Sequence, residues 1–234
     1  MMIGTLYGLG VGPGDPELLT VKAFRKLKEA PVIAYPKKRK GSKSYAQRII
    51  DVYITPGEKE MLGLVFPMTK DPDILEREWS NTVELVWEKL KTGKDVAFVT
   101  EGDPLLYSTF IHMMNLVKER YPEVNIQTVP GISSINGAAS RLGIALAEGD
   151  DHVAIIPARD DYETMKKAIV ENDCVIFIKV AKVMDLMLQI LRELDLVEKA
   201  SVVTKVTSDE EIIWDIQELD RAELEYLTLM VVRK

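Results

Sequence analysis

Short apolar runs alternate with amphipathic segments through the first half of the chain. Four runs have the length and composition of buried strands, at residues 3–11, 31–35, 95–100 and 124–129. Three longer segments place their apolar side chains along one side of a helix, at residues 17–27, 74–90 and 106–120. Strands and helices that alternate in this order predict a mostly parallel sheet with covering helices.

The pattern changes after residue 135, where strands become more frequent than helices. Five segments are predicted as strands, at 152–157, 174–180, 200–206, 211–216 and 227–232, with helices near 161–171 and 182–195. The last two strands have no helix-length segment between them, so we expect them to form an antiparallel pair. The expected fold class is therefore α/β with two domains, residues 1–134 with a mostly parallel sheet and residues 135–234 with a mixed sheet. Ligand sites often form in the cleft between such domains.

Composition and charge exclude several classes of protein. A net charge of −7 argues against general affinity for nucleic acid or anionic lipid. No apolar run approaches the ~20 residues that span a bilayer. The chain begins without a basic leader, so we expect no signal peptide and a cytoplasmic protein. The single cysteine, Cys174, excludes an intrachain disulfide, and with His112 and His152 it does not make a conventional zinc site.

The first candidate for chemistry is the glycine-rich stretch "LYGLGVGPGDPELLTVKA", residues 6–23. The dinucleotide pattern G-x-G-x-x-G fails in both registers, because its sixth position falls on Pro13 or Asp15. No Gly-Lys-Ser/Thr follows, and Asp15 would repel a phosphate, so the stretch argues against NAD and ATP as ligands. Pro13 stiffens the turn, and Asp15 is expected to cap the helix that follows, with Pro16 at its first position. Taken alone, the loop is equally compatible with a tight turn that binds nothing.

Two further loops of similar composition follow predicted parallel strands. They are "FVTEGDPLLYSTF" at residues 98–110, with Gly-Asp-Pro at 102–104, and "VPGISSINGAAS" at residues 129–140. In open α/β sheets, ligands bind outside the carboxyl ends of the strands. Three loops with many backbone polar groups and few charges at that edge suit an adenosine-like ligand without a polyphosphate.

Together, "GLGVGPGDPELLTVKA", "EGDPLLYST" and "PGISS" resemble the tetrapyrrole methylases, the S-adenosylmethionine-dependent family that methylates corrin and sirohaem precursors. The likeness covers essentially the whole chain. The segment "LVFPMTKDPDILEREW" (64–79), with "YSTF" (107–110), is similar to the branch that methylates C20 of precorrin-2 or of its cobalt form, cobalt-factor II, in cobalamin biosynthesis. The resemblance implies a homodimer in which S-adenosyl-L-methionine binds between the two domains and leaves as S-adenosyl-L-homocysteine.

The resemblance also implies the residues of the site. Those expected to bind the cofactor are Val11, Pro13, Gly102, Asp103, Leu106, Ser133, Ser134, Ile178, Val206 and Thr207. The last two lie in "TKVTSDEE", which departs from the glycine-threonine form common in relatives. Asp103 is the candidate catalytic base for the C20 proton, because the motif loops hold no histidine. The alternative, that Asp103 only orients the loop and the cofactor, stays open.

The expected substrate residues are Asp15, Tyr107, Lys37, Lys38 and Lys40. Precorrin-2 is a polycarboxylate, and the three lysines belong to a basic cluster with Arg39, Lys43 and Arg48 beyond the second strand. Each of these cations would contribute little alone, so the cluster would act through the number of its charges and by steering the substrate electrostatically. A solvated lysine loop explains the same cluster equally well. Tyr107 either donates a hydrogen bond to the macrocycle or packs on its helix.

Three alternatives remain. The protein could methylate another position or another tetrapyrrole, or it could act on a macromolecule such as ribosomal RNA or an elongation factor. It could also bind its ligands without catalysis. The acidic balance and the lack of a basic face interleaved with aromatic residues weigh against RNA.

Overall fold

The structure, a computed structural model of the chain, describes residues 2–39, 41–67, 69, 71–219 and 223–234. It divides into two compact units, Met1–Ser133 and Ser134–Lys234. The strands of the first unit are β1 (Leu6–Gly10), β2 (Val32–Lys37), β3 (Glu60–Val65), β4 (Val96–Thr100) and β5 (Ile126–Val129). They form one five-stranded sheet in the order β3-β2-β4-β1-β5, in which every neighbouring pair is parallel.

Helices cover both faces of this sheet. They are α1 (Val21–Glu29), α2 (Tyr45–Ile50), α3 (Pro72–Leu90) and α4 (Phe110–Arg120). Phe98 points toward the cluster that contains Phe110 of α4, whereas its neighbour Val99 points toward the cluster that contains Leu27 of α1. Burial on both faces explains why β1 and β4 consist of uninterrupted buried residues rather than an alternating pattern.

Two predicted helix boundaries in this unit are wrong. The segment expected to be helical from residue 17 begins as a short 3-10 turn, Pro16–Leu18, and α1 starts only at Val21. The Thr20 hydroxyl caps α1 by accepting from the Ala23 N–H at 3.2 Å. The helix expected from residue 106 begins at Phe110, whose N–H donates to the Ser108 hydroxyl at 3.1 Å.

The sequence pattern also missed α2 and β3. The strand β3 starts with an acidic residue, Glu60, has Gly63 in its interior and lies at the edge of the sheet, where most of its residues are only partly buried. An edge strand needs less apolar surface, so its sequence signal is weak. The strand predicted at 31–35 also ends too early, because Pro36 and Lys37 belong to β2.

The second unit contains a mixed sheet. Its strands are β6 (Val153–Pro157), β7 (Cys174–Ile178), β8 (Ala200–Thr204), β9 (Ile212–Trp214) and β10 (Thr228–Arg233), and its helices are α5 (Ser134–Leu142), α6 (Tyr162–Glu171) and α7 (Met184–Glu193). The strand order is β6-β7-β10-β8-β9. The fold class predicted from the sequence, two α/β units with one mostly parallel and one mixed sheet, is confirmed.

The prediction that the last two strands pair with each other is wrong. The strand β10 lies between β7 and β8 and is antiparallel to both, while β9 pairs only with β8. Burial explains the order. The residues Thr228–Val232 are all buried and fit the middle of the sheet, whereas Ile212 and Ile213 of β9 are exposed at its edge.

A chain of hydrogen bonds fixes this pairing. The indole N–H of Trp214 donates to the Thr204 hydroxyl at 2.8 Å, and that hydroxyl lies 2.8 Å from the hydroxyl of Thr228, its cross-strand partner. The Thr228 hydroxyl donates to the Glu225 carbonyl at 2.6 Å, so Thr204 is the donor between the two threonines. Both threonines are buried, and all their hydroxyl protons are used.

None of the helices in the described ranges is long and apolar enough to cross a membrane.

We predict that Thr204→Val lowers the free energy of unfolding of the second unit by about 1–3 kcal/mol, because Trp214 and Thr228 lose a buried partner. Thr204→Ser keeps the hydroxyl and should lose only about 1 kcal/mol for the missing methyl group. Urea unfolding would be followed by fluorescence in a Trp79→Phe/Trp87→Phe background, which leaves Trp214 as the reporter. Equal stability of the valine and serine variants would contradict the hydrogen-bonded chain.

Candidate functional site

Three loops leave the first sheet at the same edge. The strands β4, β1 and β5 are parallel neighbours, with Gly10 in register with Thr100 and Leu9 in register with Val129. Because their carboxyl ends coincide, the loops at residues 11–15, 101–107 and 130–133 meet there. This is the edge where ligands bind in open α/β sheets.

The loops are joined backbone to backbone. The N–H of Gly102 donates to the carbonyl of Gly12 at 2.8 Å. A Cβ atom at Gly10 would lie 2.5 Å from both the carbonyl oxygen of Gly102 and the nitrogen of Gly131. A Cβ atom at Gly131 would lie 2.2 Å from the same oxygen. Since backbone atoms cannot move aside as a flexible side chain can, only glycine fits at these two positions.

The carboxylate of Asp103 connects two of the loops. One oxygen accepts from the Leu105 N–H at 2.8 Å, and the other accepts from the Gly131 N–H at 3.1 Å. Both oxygens therefore hold backbone amides, one within the loop and one in the neighbouring loop. This geometry accounts for an aspartate at this position by its structural role.

The end of the glycine loop is closed by Asp15. Its carboxylate accepts from the Glu17 N–H at 2.8 Å and caps the 3-10 turn, and the Tyr53 hydroxyl donates to the Pro16 carbonyl at 3.0 Å. The loop thus runs into a capped turn rather than directly into α1. Residues 5–15 and 96–107 also contain no lysine or arginine, so both loops lack the cations that usually accompany a polyphosphate site.

The predicted cofactor residues of the first unit differ in exposure. Val11, Pro13 and Ser133 are buried, and Gly102 and Asp103 are partly buried. After Pro104 the chain turns outward, with exposed fractions of 50% at Leu105, 37% at Leu106 and 47% at Tyr107. Tyr107 also has a positive φ of 53°, which is uncommon for a non-glycine residue and often marks a functional loop.

The predicted basic residues lie at the same edge. The strand β2 neighbours β4, so Lys37, its last residue, and Lys38, the next one, lie at the carboxyl side of the sheet. The ammonium of Lys37 lies 5.2 Å from the centre of the Tyr35 ring. Lys40 lies outside the described residues.

Sequence reasoning missed Glu101, the residue that directly follows β4. It is partly buried, and burial raises the pKa of its carboxyl, while its own backbone N–H and the charge of Lys38 act in the opposite direction. The signal available in the sequence was a glutamate placed immediately after five fully buried residues.

The predicted residues of the second unit meet at one edge of its own sheet. Ile178 ends β7 and Val206 follows β8, and these two strands flank β10, where Leu229 is in register with both Ile178 and Val203. Val206 packs in the same buried cluster as Ile135, the residue next to Ser134 at the start of α5. Thr207 follows Val206 directly.

A strained turn follows β8 and is held by a carboxylate. Lys205 and Thr207 both have positive φ angles, 47° and 67°, in the stretch that lacks glycine. Such positions cost about 1–3 kcal/mol each and persist only where other contacts fix them. The N–H of Thr207 donates to Glu211 at 2.6 Å, and Arg141 donates to both oxygens of Glu211, the shortest contact being 2.7 Å. These contacts lower the pKa of Glu211. The hydrogen bonds from Arg141 have the largest effect, and the hydrogen bond from the Thr207 N–H acts in the same direction.

Other candidates for chemistry lie elsewhere. His112 is on α4, where its ring stacks on Trp79 with 4.5 Å between centroids, and His152 precedes β6. Cys174 is buried in β7, and burial raises the pKa of its thiol. Within the described ranges, no group of three or more histidine, cysteine or acidic residues could hold a metal ion.

Residues 5–220 match the family described as Tetrapyrrole (Corrin/Porphyrin) Methylases. A protein of Methanocaldococcus jannaschii, named as a probable cobalt-precorrin-2 C(20)-methyltransferase, is 38% identical over 100% of this chain and 97% of its own length. The cobalt-precorrin-2 C(20)-methyltransferase of Salmonella typhimurium is 30% identical over 100% and 98% of the two chains. A precorrin-2 C(20)-methyltransferase of Sinorhizobium sp is 28% identical over 98% and 95%.

Solved structures share the fold. A cobalt precorrin-4 methyltransferase, CbiF, superposes with a TM-score of 0.75 at 23% identity, over 98% of this chain and 94% of that one. The uroporphyrin-III C-methyl transferase of Thermus thermophilus, complexed with S-adenyl homocysteine, gives a TM-score of 0.68 at 20% identity, over 98% and 92%. At these identities the likeness concerns the fold alone.

The Glu211 contacts predict a pH dependence. Because its pKa is lowered in the folded chain, Glu211 stabilises the second unit above its unfolded pKa of about 4.3. That contribution is lost as the pH falls through the folded value. Glu211→Gln should lower the free energy of unfolding at neutral pH by about 1.5–3 kcal/mol and weaken its decline in acid. Urea unfolding at several pH values, with Trp214 as the reporter and the exposed Glu198→Gln as the control, measures both. A Glu211→Gln variant with the full acid dependence would refute this role.

Proposed function

Because this chain belongs to the tetrapyrrole (corrin/porphyrin) methylases, we propose that it transfers a methyl group from S-adenosylmethionine to C20 of a precorrin-2-type macrocycle in cobalamin biosynthesis. The observation that carries the proposal is the 38% identity, over the whole chain, with a relative named for this reaction. The names of that relative and of the Salmonella protein specify the cobalt form, so the cobalt-containing macrocycle is the proposed substrate. The name of the Sinorhizobium relative supports metal-free precorrin-2 as the alternative.

The donor groups at the sheet edge of the first unit fit S-adenosylmethionine. The loops offer backbone N–H and C=O groups, the Ser133 hydroxyl and apolar side chains, without a cation at residues 5–15 or 96–107. A cationic sulfonium without phosphates needs such surroundings. In the first unit, the residues that would hold it are Val11, Pro13, Gly102, Asp103, Leu106 and Ser133. In the second unit, they are Ser134, Ile178, Val206 and Thr207.

When bound, S-adenosylmethionine would supply an electrophilic methyl group. An electron pair of C20 would form the new bond to that methyl group while the pair of the S–CH3 bond stays on sulfur. The main task of the protein is then placement. Aligning two bound reactants can lower a barrier by about 7–11 kcal/mol. The contacts among Gly10, Gly102 and Gly131 fix the backbone of the loops, and Asp103 keeps the second loop against the third.

The exposed side chains beside these loops suit the macrocycle. Leu105 and Leu106 offer apolar surface to a flat ring, and Tyr107 adds a hydroxyl that can hydrogen-bond. Lys37 and Lys38 supply positive charge for the peripheral carboxylates, and Asp15 lies at the end of the glycine loop. Each exposed ion pair contributes only about 0.2–1 kcal/mol, so the lysines act together with any further cations of the segment.

The proposed setting is the cytoplasm, with a homodimer as the working form and no nucleic acid or membrane as a partner. The homodimer rests on the resemblance to the family. Sedimentation equilibrium of the purified chain tests it directly.

The function is tested by turnover. The purified protein would be incubated anaerobically with methyl-labelled S-adenosylmethionine and either cobalt-factor II or metal-free precorrin-2, and the label located by mass spectrometry and NMR. A methyl group at C20 of the cobalt form supports the proposal. A methyl group at another carbon would show that the protein methylates a different ring position and would contradict the assignment to C20. Binding of S-adenosylmethionine without transfer to either macrocycle would favour a macromolecular substrate.

We predict that Lys37→Gln/Lys38→Gln raises the KM for the macrocycle at least about threefold and leaves the KM for S-adenosylmethionine within twofold, because two attractive charges are removed from the substrate side. The matched control is Lys91→Gln/Lys118→Gln, which removes two exposed charges at the far ends of α3 and α4. Steady-state kinetics with each substrate varied in turn measures both constants. If the two double variants change the KM for the macrocycle equally, Lys37 and Lys38 do not bind the substrate and belong to a solvated loop.

A further inference from the structure

After the methyl group has been transferred, C20 must still lose a proton, and the loop contacts do not explain what accepts it. The inference that follows rests on the proposed function. The electron pair of C20 forms the new carbon–carbon bond while the S–CH3 pair stays on sulfur. C20 then carries both a methyl group and a hydrogen. The hydrogen leaves as a proton, and the electron pair of the C20–H bond stays in the ring and restores its conjugation. A group on the chain that accepts this proton would therefore speed the step.

Asp103 is poorly suited to accept that proton. Its two oxygens accept from the N–H groups of Leu105 and Gly131, at 2.8 and 3.1 Å. Hydrogen bonds to an ionised carboxylate are among the stronger ones in proteins. Protonation would weaken both and loosen the contact between the two loops at the moment when they must hold the reactants.

Glu101 occupies the same edge without such a structural task. In the described part of the chain no other residue donates a hydrogen bond to its carboxyl, which is influenced by its own backbone N–H and by the charge of Lys38. Glu101 is the first residue after β4, which ends at Thr100, so it lies at the carboxyl edge of the sheet. Its position is fixed, because the next residue, Gly102, donates its N–H to the carbonyl of Gly12.

The geometry points to Glu101 as the catalytic residue that accepts the C20 proton, with Lys38 as its neighbouring charge on the substrate side. Three placements carry this assignment. Glu101 directly precedes Gly102, which pairs with Gly12 of the glycine loop, it is partly buried, and it directly follows the five buried residues of β4. Burial also raises the pKa of this carboxyl above its ordinary value, which makes the carboxylate a stronger proton acceptor than an exposed glutamate.

The first experiment compares Glu101→Gln with the wild-type chain. We expect kcat for the macrocycle to fall roughly 10²–10⁴-fold, the range that a single general base supplies. A substrate deuterated at C20 should then turn over more slowly than the protonated one, because removal of that proton limits the rate. Glu101→Asp should recover part of kcat. The dissociation constant for S-adenosylhomocysteine, measured by calorimetry, should stay within twofold, whereas Asp103→Asn should weaken it.

A second measurement needs no turnover. In the unliganded protein with 13C-labelled glutamate carboxyls, the resonance that disappears in Glu101→Gln should titrate above the usual glutamate pKa of about 4.3. The exposed Glu123→Gln variant is the matched control for both experiments, and it should retain wild-type kcat.

Each failure has its own signature. If the wild-type chain methylates neither macrocycle, the proposed function falls and this inference falls with it. If the wild-type chain is active and Glu101→Gln keeps kcat within threefold, only the inference is overturned. It is also overturned if the Glu101 carboxyl titrates at or below its usual range, or if Glu101→Gln loses cofactor affinity in parallel with kcat, which would indicate a structural role.

Discussion

The close approach of three backbone segments is the constraint on which the candidate site of the first unit depends. The carbonyl of Gly102 reaches both Gly10 and Gly131 at distances that exclude any side chain. These contacts bring the ends of β1, β4 and β5 together backbone against backbone. Asp103 reinforces the arrangement by accepting hydrogen bonds from two of the loops' amides. The polar groups at this edge are therefore held by the fold itself.

The second unit reaches a comparable arrangement by other means. The turn after β8 has no glycine, so Lys205 and Thr207 adopt left-handed angles that their side chains disfavour. Glu211 offsets that strain by accepting from the Thr207 N–H while Arg141 holds its carboxylate. Glycine in one unit and an acid–arginine pair in the other solve the same problem, which is to keep an irregular turn at a strand end in one conformation.

The sequence was informative where burial and turn chemistry act locally. The buried runs around Leu9, Phe98 and Val129 predicted the three parallel strands, and the rule that their carboxyl ends coincide predicted the edge. The position of β10 depends on which neighbours best cover a fully buried strand, and this competition is not visible in the spacing of β9 and β10. The start of α1 was missed because Asp15 and Thr20 are both good caps and only the folded chain decides between them.

The site was predictable to a similar extent. The glycines and Asp103 stand in short motifs, so their residue types alone indicated a loop site. Glu101 and Glu211 were overlooked because their surroundings come from residues distant in sequence, Lys38 in one case and Arg141 in the other. Long-range partners of this kind become apparent only once the strand order is known.

The outward-facing segment after Pro104 has an evolutionary consequence. Leu105 and Leu106 are exposed by 50% and 37%, and their side chains take no part in the backbone contacts that hold the loops together. Substitutions at these two positions would therefore change contacts with bound ligands without disturbing the strand ends. A tightly constrained interior beside an exposed rim lets ligand preference change by selection while the framework stays intact.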